Sequence, residues 1–386
     1  MMEGNHAFFV HKNQLVNALQ HVQKAVSSKT TIPILTGIKF DIGTKGLIIT
    51  GSDSDISIQV LIPLVENGEE WVQLIIPGKI VVPAKYILEI VKKLPGEMIE
   101  FEVIDHFTII IKSGSSEFRL NGFDADEYPN LPQIIDEEEH VFTIPSDLLK
   151  MMIRQTQFAV STIESRPILT GVLWNLENQV LKFTATDSHR LAVREATVES
   201  LTNLSFQNVV IPGRSLSELS KILDDTQTPV EIIVNENQIL IKMNHVLFLS
   251  RLLDGTYPDT SRIIPDKYKT KIIIQTKKLL ESIERASLLA RDGKNNIVKF
   301  TNIENLLIEV SSNSPEVGNV TDQLQIKNIE GEPVKISFNA KYMLDALRAI
   351  DSEEVQIEFT GALSPFVIKP IEHHRILQLI LPVRTY

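Results

Sequence analysis

The segment Thr186-Asp187-Ser188-His189-Arg190 brings an acid, a serine and a histidine together, and these are the side-chain types of a hydrolytic triad. Neighbouring positions in sequence do not give the geometry of a triad, however. The chain also contains no GxSxG turn of the kind that exposes a nucleophilic serine. The sequence therefore predicts no catalytic residues and a protein that is not an enzyme.

The chain contains few residues or motifs that could hold a metal or a cofactor. His373 and His374 are adjacent, and adjacent side chains on a strand point to opposite faces, so a shared ion is not expected. The chain has no cysteine, which excludes disulfides and thiolate ligands. It also lacks the GxxxxGK[ST], HExxH and GxGxxG patterns of nucleotide, zinc and dinucleotide sites. We predict neither a metal nor a cofactor.

An internal repeat organises the chain around these residues. The segment PILTG at 33–37 recurs at 167–171, and Ser52-Asp53-Ser54 recurs as Thr186-Asp187-Ser188, so both motifs are offset by 134 residues. A weaker third copy places Ser312-Asn313-Ser314 at the equivalent turn. Boundaries between the copies fall in polar segments near residues 135 and 258. The sequence predicts three related domains, at 1–135, 136–258 and 259–386.

Six segments with apolar residues three and four apart are predicted to be helices, two in each repeat: KNQLVNALQHVQKAVS, PAKYILEIVKKL, SDLLKMMIRQTQFAVS, GRSLSELSKIL, TKKLLESIERASLLAR and NAKYMLDALRAI. Stretches rich in beta-branched residues lie between them, such as HFTIIIKS and EEVQIEFTG, and these predict strands. The predicted fold class is α+β, with helices on one side and antiparallel sheets on the other.

Charge is divided unevenly between these elements. The 386-residue chain carries a formal charge of −11, which alone disfavours a DNA-binding protein. The six helical regions with their flanking residues, counted over 12–29, 83–94, 145–160, 213–225, 276–291 and 339–350, nevertheless carry +8, so the rest of the chain carries −19. A cationic helical surface on an acidic body favours loose contact with phosphates that does not depend on base sequence.

The N-terminal segment, the apolar runs and the cysteine content indicate the cellular compartment. The N-terminal segment MMEGNHAFFVHKNQ lacks the pattern of a signal peptide, and no window approaches the roughly 18 apolar residues of a membrane span. The missing cysteines fit a reducing environment. We expect a cytoplasmic protein that does not associate with membranes.

Several segments together resemble one known family. TTIPILTGI, ITGSDSD, SRPILTGV, FTATDSHRLA, NVVIPGRSLSELSKIL, LLDGTYPD, ASLLAR and LQLILPVRTY are similar to the bacterial beta sliding clamps, the processivity subunits of DNA polymerase III. The resemblance runs the full length of the chain, and ATDSHRLA and LPVR are its most specific segments. It implies the DNA clamp fold. Each chain of that fold has three similar domains with two helices on the inner face and antiparallel sheets on the outer face, and two chains form a ring.

The resemblance also implies a peptide-binding pocket. It would receive extended segments of the DNA polymerase III alpha subunit, of the clamp loader complex, and of other polymerases and repair factors. Taken without the family, core packing is the simpler interpretation of such residues. The family commonly has Gly at the position of Ser188, and Met where this chain has Leu381 or Val383. The matching positions are Leu169, Thr186, Ser188, His189, Arg190, Leu191, Pro258, Ile263, Leu379, Leu381, Pro382, Val383 and Arg384.

Two further sets of positions follow from the resemblance. Contacts with double-stranded DNA are implied for Lys29, Arg166 and Arg214. The seam of a homodimer is implied where Phe118 and Leu120 meet Leu288 and Leu289. The expected function is a non-catalytic ring that encircles duplex DNA. The alternatives are a specialised second clamp, or a scaffold of repeated domains that never touches nucleic acid and would not stay trapped on closed circular DNA.

Overall fold

The order of the helices and strands repeats three times along the chain. The computed structural model describes residues 5–105, 107–131, 141–200, 202–291 and 296–384. In each third, a strand leads into a helix that is followed by three strands. After one to three further strands, another strand leads into a second helix, which is followed by three more strands. The repeat predicted from sequence is therefore present in the order of the elements. The boundary expected near residue 135 lies outside the described residues.

The bounds of the elements are as follows. The first third contains β1 (His6–His11), α1 (Lys12–Val22), β2 (Gly37–Gly43), β3 (Gly46–Ser52), β4 (Ile56–Pro63), β5 (Val65–Glu66), β6 (Glu69–Glu70), β7 (Val72–Ile76), β8 (Gly78–Pro83), α2 (Ala84–Lys93), β9 (Met98–Ile104), β10 (Thr108–Ser113) and β11 (Ser116–Asn121). The second contains β12 (Val141–Pro145), α3 (Ser146–Arg154), β13 (Gly171–Glu177), β14 (Val180–Thr186), β15 (Arg190–Thr197), β16 (Glu199–Ser200), β17 (Phe206–Pro212), α4 (Gly213–Ser220), β18 (Pro229–Val234), β19 (Gln238–Met243) and β20 (Val246–Arg251). The last contains β21 (Thr270–Gln275), α5 (Thr276–Ala290), β22 (Ile297–Glu304), β23 (Leu307–Ser314), β24 (Gly318–Gln325), β25 (Asn328–Gly331), β26 (Lys335–Asn339), α6 (Ala340–Ala349), β27 (Glu354–Phe359), β28 (Phe366–Pro370) and β29 (Ile376–Ile380).

The chain divides into two compact units. The first is formed by the described residues of Met1–Ser146 and Lys221–Leu252. It contains a five-stranded sheet in the order β11-β10-β9-β1-β7 and a longer antiparallel run in the order β12-β18-β19-β20-β4-β3-β2-β8. The rings of Phe8 and Phe101 stack in its core with centroids 5.1 Å apart. Leu15 and Leu19 of α1 are fully buried, as the apolar spacing of that helix predicts.

The second unit is formed by the described residues of Asp147–Ser220 and Leu253–Tyr386. Its nine-stranded sheet has the order β17-β13-β14-β15-β29-β28-β27-β21-β25, and its four-stranded sheet has the order β24-β23-β22-β26. Trp174 and Phe183 stack in its core at 4.1 Å. Six α-helices and antiparallel sheets thus make up the described part of the chain, which confirms the α+β prediction. Within these ranges, no helix combines the length and the apolar character needed to cross a bilayer.

The first helices of two repeats are shorter than predicted. The sequence predicts helix to residue 27 in the first repeat and to residue 161 in the second, but α1 ends at Val22 and α3 ends at Arg154. Short 3₁₀ turns follow, at Gln23–Ala25 and Gln157–Ala159. The hydroxyl of Thr156 donates to the carbonyl oxygen of Met152 at 2.9 Å, and such bonds compete with helix propagation.

The third strand after a helix joins neighbouring repeats in four of the six cases that the structure describes. β4 pairs with β20, where Ile58 lies opposite Phe248, and β15 pairs with β29, where Ala192 lies opposite Gln378. β11 and β24 are the remaining strands of this kind, and each ends its own sheet. Main-chain hydrogen bonds therefore make the repeats continuous at the first two places, and two equivalent edges are left in the described chain.

Candidate functional site

Three of the residues predicted for the pocket are buried leucines, which lie in two separate apolar clusters. Leu169, Leu191 and Leu379 are at most 3% exposed. Leu191 and Leu379 lie opposite each other across β15 and β29. Leu169 lies in the 3₁₀ turn of the second PILT segment, Pro167–Thr170, which repeats the turn at Pro33–Thr36. These positions are part of the core, so their first role is to fix the elements that carry the exposed residues.

The exposed apolar residues come from two chain segments. Ile263 is 46% exposed and Leu381 is 38% exposed. The amide of Leu381 donates to the carbonyl oxygen of His189 at 2.9 Å, and the amide of Val383 donates to that of Ser337 at 2.7 Å. These bonds hold the C-terminal segment beside the 187–190 turn. Ser188, His189, Pro258 and Arg384 are also exposed, while Pro382 and Val383 are half-buried.

The 187–190 turn is built by one carboxylate. Asp187 Oδ1 accepts hydrogen bonds from the amides of His189 and Arg190, at 2.9 and 3.1 Å. Asp53 accepts equivalent bonds from Asp55 and Ile56 in the first repeat. The φ angle of Ser188 is +76°, in the region that favours glycine, which fits the glycine that the resemblance implies at this position.

Arg190 is fixed inside the protein rather than presented to a ligand. Its side chain is 9% exposed and forms ion pairs with Asp187 at 3.0 Å and with Asp345 of α6 at 2.6 Å. Its Nη2 donates to the carbonyl oxygen of Phe158 at 2.7 Å. The guanidinium lies 4.6 Å from the ring centroid of Tyr342. Most of its donors are therefore used to hold the turn against α6.

Tyr342 and Asp345 were missed by the sequence reasoning. They lie three residues apart on α6, so both reach the same neighbour, and the ring of Tyr342 also meets that of His189 edge-on at 6.5 Å. No local pattern in the sequence joins them to the 187–190 turn. Helical spacing alone could have shown that they share one side of α6.

Thr186 links this turn to the end of the second repeat. Its amide donates to the phenolic oxygen of Tyr257 at 3.1 Å, and its hydroxyl donates to the carbonyl oxygen of Arg190 at 2.6 Å. Tyr257 is 6% exposed, and burial raises the pKa of its phenol well above the usual value. Thr186 is buried too, so its role in the site is to support the turn.

Two cavities adjoin the predicted pocket residues. One of about 380 Å³ is lined by Val383 together with Leu363, which is 62% exposed, and with Ile336 and Lys335. The other, of about 540 Å³, includes Pro258 with residues next to predicted ones, such as Val193 and Ile264. Leu363 was not predicted because it lies in an irregular segment before β28. The first cavity therefore offers apolar side chains beside Val383, whereas the second is lined largely by polar residues.

The residues proposed for DNA are all at the surface. Lys29, Arg166 and Arg214 are exposed, and Arg214 lies in the first turn of α4. Gly213, beside it, approaches the carbonyl of Thr170 so closely that a Cβ built there lies 2.9 Å away. The start of α4 therefore lies against the turn that follows Arg166.

The helix charges are partly neutralised within the protein. Lys92 pairs with Glu89 at 3.4 Å, Lys341 with Asp345 at 2.6 Å, and Arg348 with Glu284 at 2.9 Å. Those acids lie on the helices themselves and are already counted in the sum of +8. The pairs of Arg154 with Asp351 and of Arg285 with Asp322 bring in acids from outside the helices and so reduce the positive charge that the helices offer to a polyanion.

The four seam residues are not core. Phe118 is 39% and Leu288 is 63% exposed, and Leu120 and Leu289 are half-buried. Phe118 and Leu120 lie on β11, the last strand of its sheet, opposite the fully buried Ile111 and Ile109. Their sheet face is thus continuous with the core but uncovered at the edge.

The two adjacent histidines lie elsewhere than expected. His373 and His374 are in the turn between β28 and β29, not on a strand, so the argument from opposite strand faces does not apply to them. Among the described residues, no group of three or more His, Asp or Glu side chains is placed to hold a metal ion.

Comparison with known proteins identifies the class and then the family. Models of the DNA polymerase III beta subunit match residues 6–132 (N-terminal domain), 143–259 (central domain) and 261–384 (C-terminal domain). The beta sliding clamp of Bacillus subtilis (strain 168) is 56% identical over 379 residues, 98% of this chain and 100% of that one. That of Staphylococcus aureus (strain N315) is 45% identical over 379 residues, 98% of this chain and 99% of that one.

Solved structures give the same result. A crystal structure of the DNA polymerase sliding clamp from Bacillus subtilis superposes with a TM-score of 0.96 at 55% identity, over 99% of this chain and 100% of that chain. The beta chain of DNA polymerase III from Streptococcus pneumoniae gives 0.93 at 38% identity, over 98% and 100%. The three-domain fold is thus that of a DNA sliding clamp. The chain belongs to the family of bacterial DNA polymerase III beta subunits, which confirms the resemblance and connects it with DNA binding and DNA replication.

Proposed function

We propose that two copies of this chain close head to tail into a ring around duplex DNA, and that the ring tethers the DNA polymerase III alpha subunit to its template without catalysing a reaction. The clamp loader complex, other polymerases and repair factors would bind the same peptide pocket. We place this activity in the cytoplasm. The three domains of each chain would be residues 1–135, 136–258 and 259–386.

The observation that carries the ring is the way in which the repeats join. The two internal joins follow one rule. One partner is the third strand after the second helix of a repeat, and the other is the third strand after the first helix of the preceding repeat. The pairs are β20 with β4, and β29 with β15. By the same rule, the free partners are β11 and β24. A second copy that offers β24 to β11 would repeat the internal join. Head-to-tail contacts of this kind close into rings when the rotation between copies permits it.

The β11 side of such a join can be aligned with an internal one. Phe118 pairs with the buried Ile111 on β10, just as Phe248 pairs with the buried Ile241 on β19. Each phenylalanine lies two residues beyond the start of its strand. Phe118 thus occupies the position of Phe248.

The β24 side can be aligned in the same way. Val320 pairs with Ser312, and Ile58 pairs with Gly51. Ser312 donates to the carbonyl oxygen of Ala286 on α5 at 2.7 Å, while Gly51 closely approaches that of Val22 on α1. Val320 thus occupies the position of Ile58.

The register of the proposed seam follows from these two alignments. Since Phe248 lies opposite Ile58, we expect Phe118 to lie opposite Val320 of the second copy. Leu288 and Leu289 near the end of α5 would then cover the half-exposed ring of Phe118. Covering an edge strand in this way also removes an aggregation hazard.

DNA would be held by enclosure rather than by tight binding. Lys29, Arg166 and Arg214 would contact phosphates, which carry no base sequence, so the ring could move along any duplex. Because topology prevents escape, these contacts can be weak.

The peptide pocket would take an extended apolar segment of each partner. Ile263 and Leu381 provide the exposed apolar surface, and Leu169, Leu191 and Leu379 support it from below. Exposed apolar side chains next to cavities are the usual anchoring points of partner peptides.

The deciding experiment is loading onto nicked circular DNA with the cognate loader and ATP, followed by linearisation. A ring is expected to be lost from linear DNA and retained on circular DNA. Equal retention on both would indicate ordinary binding. If the replicative loader does not load the protein, synthesis by another polymerase on duplex DNA is measured with and without the protein. Stimulation of that polymerase would favour a specialised second clamp, and no stimulation would favour a scaffold.

A further inference from the structure

Arg194, on β15, is a buried cation without a carboxylate partner. It is 6% exposed. Its Nε donates to Gln155 Oε1 at 2.7 Å and its Nη1 donates to the carbonyl oxygen of Glu195, so both partners are neutral. A guanidinium cannot escape this cost by losing its proton. Burying an unpaired charge costs folding free energy, so an anion bound beside Arg194 would stabilise the folded protein.

The fold does not require a cation at this position. In the equivalent join of the first unit, Val60 of β4 lies opposite Val246, as Arg194 of β15 lies opposite Ile376. Val60 is an aliphatic residue that is 6% exposed. Since the same strand pairing is made with a valine, the packing alone does not explain the guanidinium.

More positive side chains surround Arg194. The turn between β28 and β29 carries His373, His374 and Arg375, and the carbonyl oxygen of Arg375 accepts the amide of Glu195 at 2.9 Å. Burial, and then the charge of Arg194, lower the pKa of His373 below its usual value. The fold therefore brings several positive side chains close to Arg194, which is electrostatically unfavourable.

The neighbouring acids offset the charge of this cluster only in part. Beyond burial, which lowers both pKa values, Glu195 raises the pKa of Arg194 less than Arg375 lowers it, and Glu372 raises the pKa of His373 less than Arg194 lowers it. Glu195 is paired with Lys182 at 3.4 Å, and Glu372 is exposed in the turn. Nη2 of Arg194 has no acceptor among the described residues, and it is not completely buried. One donor of the buried guanidinium is thus available to a ligand.

We propose that Arg194, His373 and Arg375 form a binding site for a phosphate group. Nη2 of Arg194 would donate from below, and the exposed Arg375 and the half-buried His373 would close over the anion. Charge-assisted bonds from guanidinium groups suit phosphate oxygens. The phosphate could belong to the backbone of DNA or to a free phosphorylated solute, and the two sources can be separated by experiment.

The test is a titration of the full-length protein with inorganic phosphate, with chloride at equal ionic strength as the reference. NMR of the His373 imidazole is expected to show saturable binding, with the midpoint of its titration moved to higher pH by phosphate. Arg375→Gln is expected to weaken phosphate binding about tenfold. Arg262→Gln is the matched control, because it removes an 87% exposed cation of the same unit outside the cluster. It should leave phosphate binding unchanged.

A second titration with a short DNA duplex identifies the source. Weaker duplex binding by Arg375→Gln than by Arg262→Gln would assign the site to the DNA backbone. Unchanged duplex binding with weaker phosphate binding would assign it to a free phosphorylated solute. If phosphate moves the His373 titration no further than chloride does, or if Arg262→Gln weakens phosphate binding as much as Arg375→Gln, the proposal is wrong.

Discussion

Arg190 of the second repeat and Asp345 of the third are 155 residues apart in sequence, yet Nη1 of the arginine donates to Oδ2 of the aspartate at 2.6 Å. The same carboxylate oxygen accepts from Lys341 at 2.6 Å. One acid on α6 therefore pairs with a buried cation of the proposed peptide pocket and with an exposed cation of its own helix.

Replacement of this acid should affect both stability and peptide binding. Asp345→Asn leaves Arg190 with Asp187 as its one charged partner, and we expect a loss of about 1–3 kcal/mol in the free energy of unfolding, measured with urea. Partner peptides should bind more weakly as well, because the 187–190 turn loses its anchor. Lys341→Gln removes only an exposed pair and should cost at most about 0.5 kcal/mol. Equal effects of the two changes would contradict the role given to Arg190.

The exposed apolar residues should dominate peptide binding. Leu381→Asp places a charge in the pocket, and we expect a loss of about 2 kcal/mol in binding of a peptide from the cognate polymerase, roughly 30-fold in Kd by fluorescence anisotropy. Val180→Asp, at a position that is 39% exposed on β14, is the control. If the Leu381→Asp variant binds the peptide with unchanged affinity, the peptide pocket does not include Leu381.

The proposed seam can be tested by oligomeric state. Phe118→Asp should shift the protein toward monomer in sedimentation velocity, because a carboxylate would be buried against the partner's leucines. Val65→Asp changes a 58% exposed residue of β5 and should leave the dimer intact. A dimer that survives Phe118→Asp at micromolar concentration would argue against this seam.

The register of the seam can be tested by cross-linking. Since the chain has no cysteine, Phe118→Cys combined with Val320→Cys introduces the only two thiols. Directly opposite residues on antiparallel strands are close enough for a disulfide, and we expect a covalent dimer on oxidation. Phe118→Cys with Asp322→Cys, two residues further along, should cross-link less. The reverse order would show that the internal joins do not predict the register.

Alanine substitutions at two glycines of one hairpin should differ sharply in their effect on stability. Gly46 has φ +130°, and a Cβ built on it lies 2.1 Å from the carbonyl oxygen of Ile62. Gly43, its cross-strand partner, has nothing within 4 Å of its built Cβ. Gly46→Ala should cost about 2–4 kcal/mol in thermal unfolding, and Gly43→Ala about 0.5 kcal/mol or less. Similar melting temperatures for the two variants would be inconsistent with this backbone geometry.

Acid should destabilise the fold in part through His21. Burial, and then the charge of Lys24, lower the pKa of the His21 imidazole. The unfolded chain therefore binds this proton at a higher pH than the folded chain, and stability is lost as the pH falls below about 6.5. His21→Gln should lose less stability than the wild type between pH 8 and pH 5, and Lys24→Gln should show an intermediate loss. Parallel stability curves for His21→Gln and the wild type would exclude this contribution.

Local patterns in the sequence predicted much of the fold. The six helices appeared as apolar spacings because each packs one side on a sheet, and the repeated PILT segments form the same 3₁₀ turn twice. The repeated aspartate turns at Asp53 and Asp187 also form equivalent bonds. Where a motif depends on its own neighbours, the sequence was sufficient.

Long-range relationships were not predicted. The contact of Arg190 with Asp345 and Tyr342 joins segments that share no local pattern, and the joins of β4 with β20 and of β15 with β29 depend on which strand edges meet. The end of α3 was missed because a side-chain hydroxyl, that of Thr156, competes for the helix carbonyls. The contacts between distant segments arise from the tertiary structure and leave no periodicity in the sequence, and the local bond of Thr156 does not alter the apolar spacing from which the helix was predicted.

The uncovered edges of β11 and β24 have a consequence for how the protein assembles. An edge that accepts the opposite edge of an identical molecule can add copies without limit, and a fibre differs from a closed ring only in the rotation from one copy to the next. If the seam repeats the internal joins, that rotation is already set within each polypeptide. Substitutions that change the twist at β4 and β20 would then convert a closing assembly into a growing one, although that join is made within a single polypeptide.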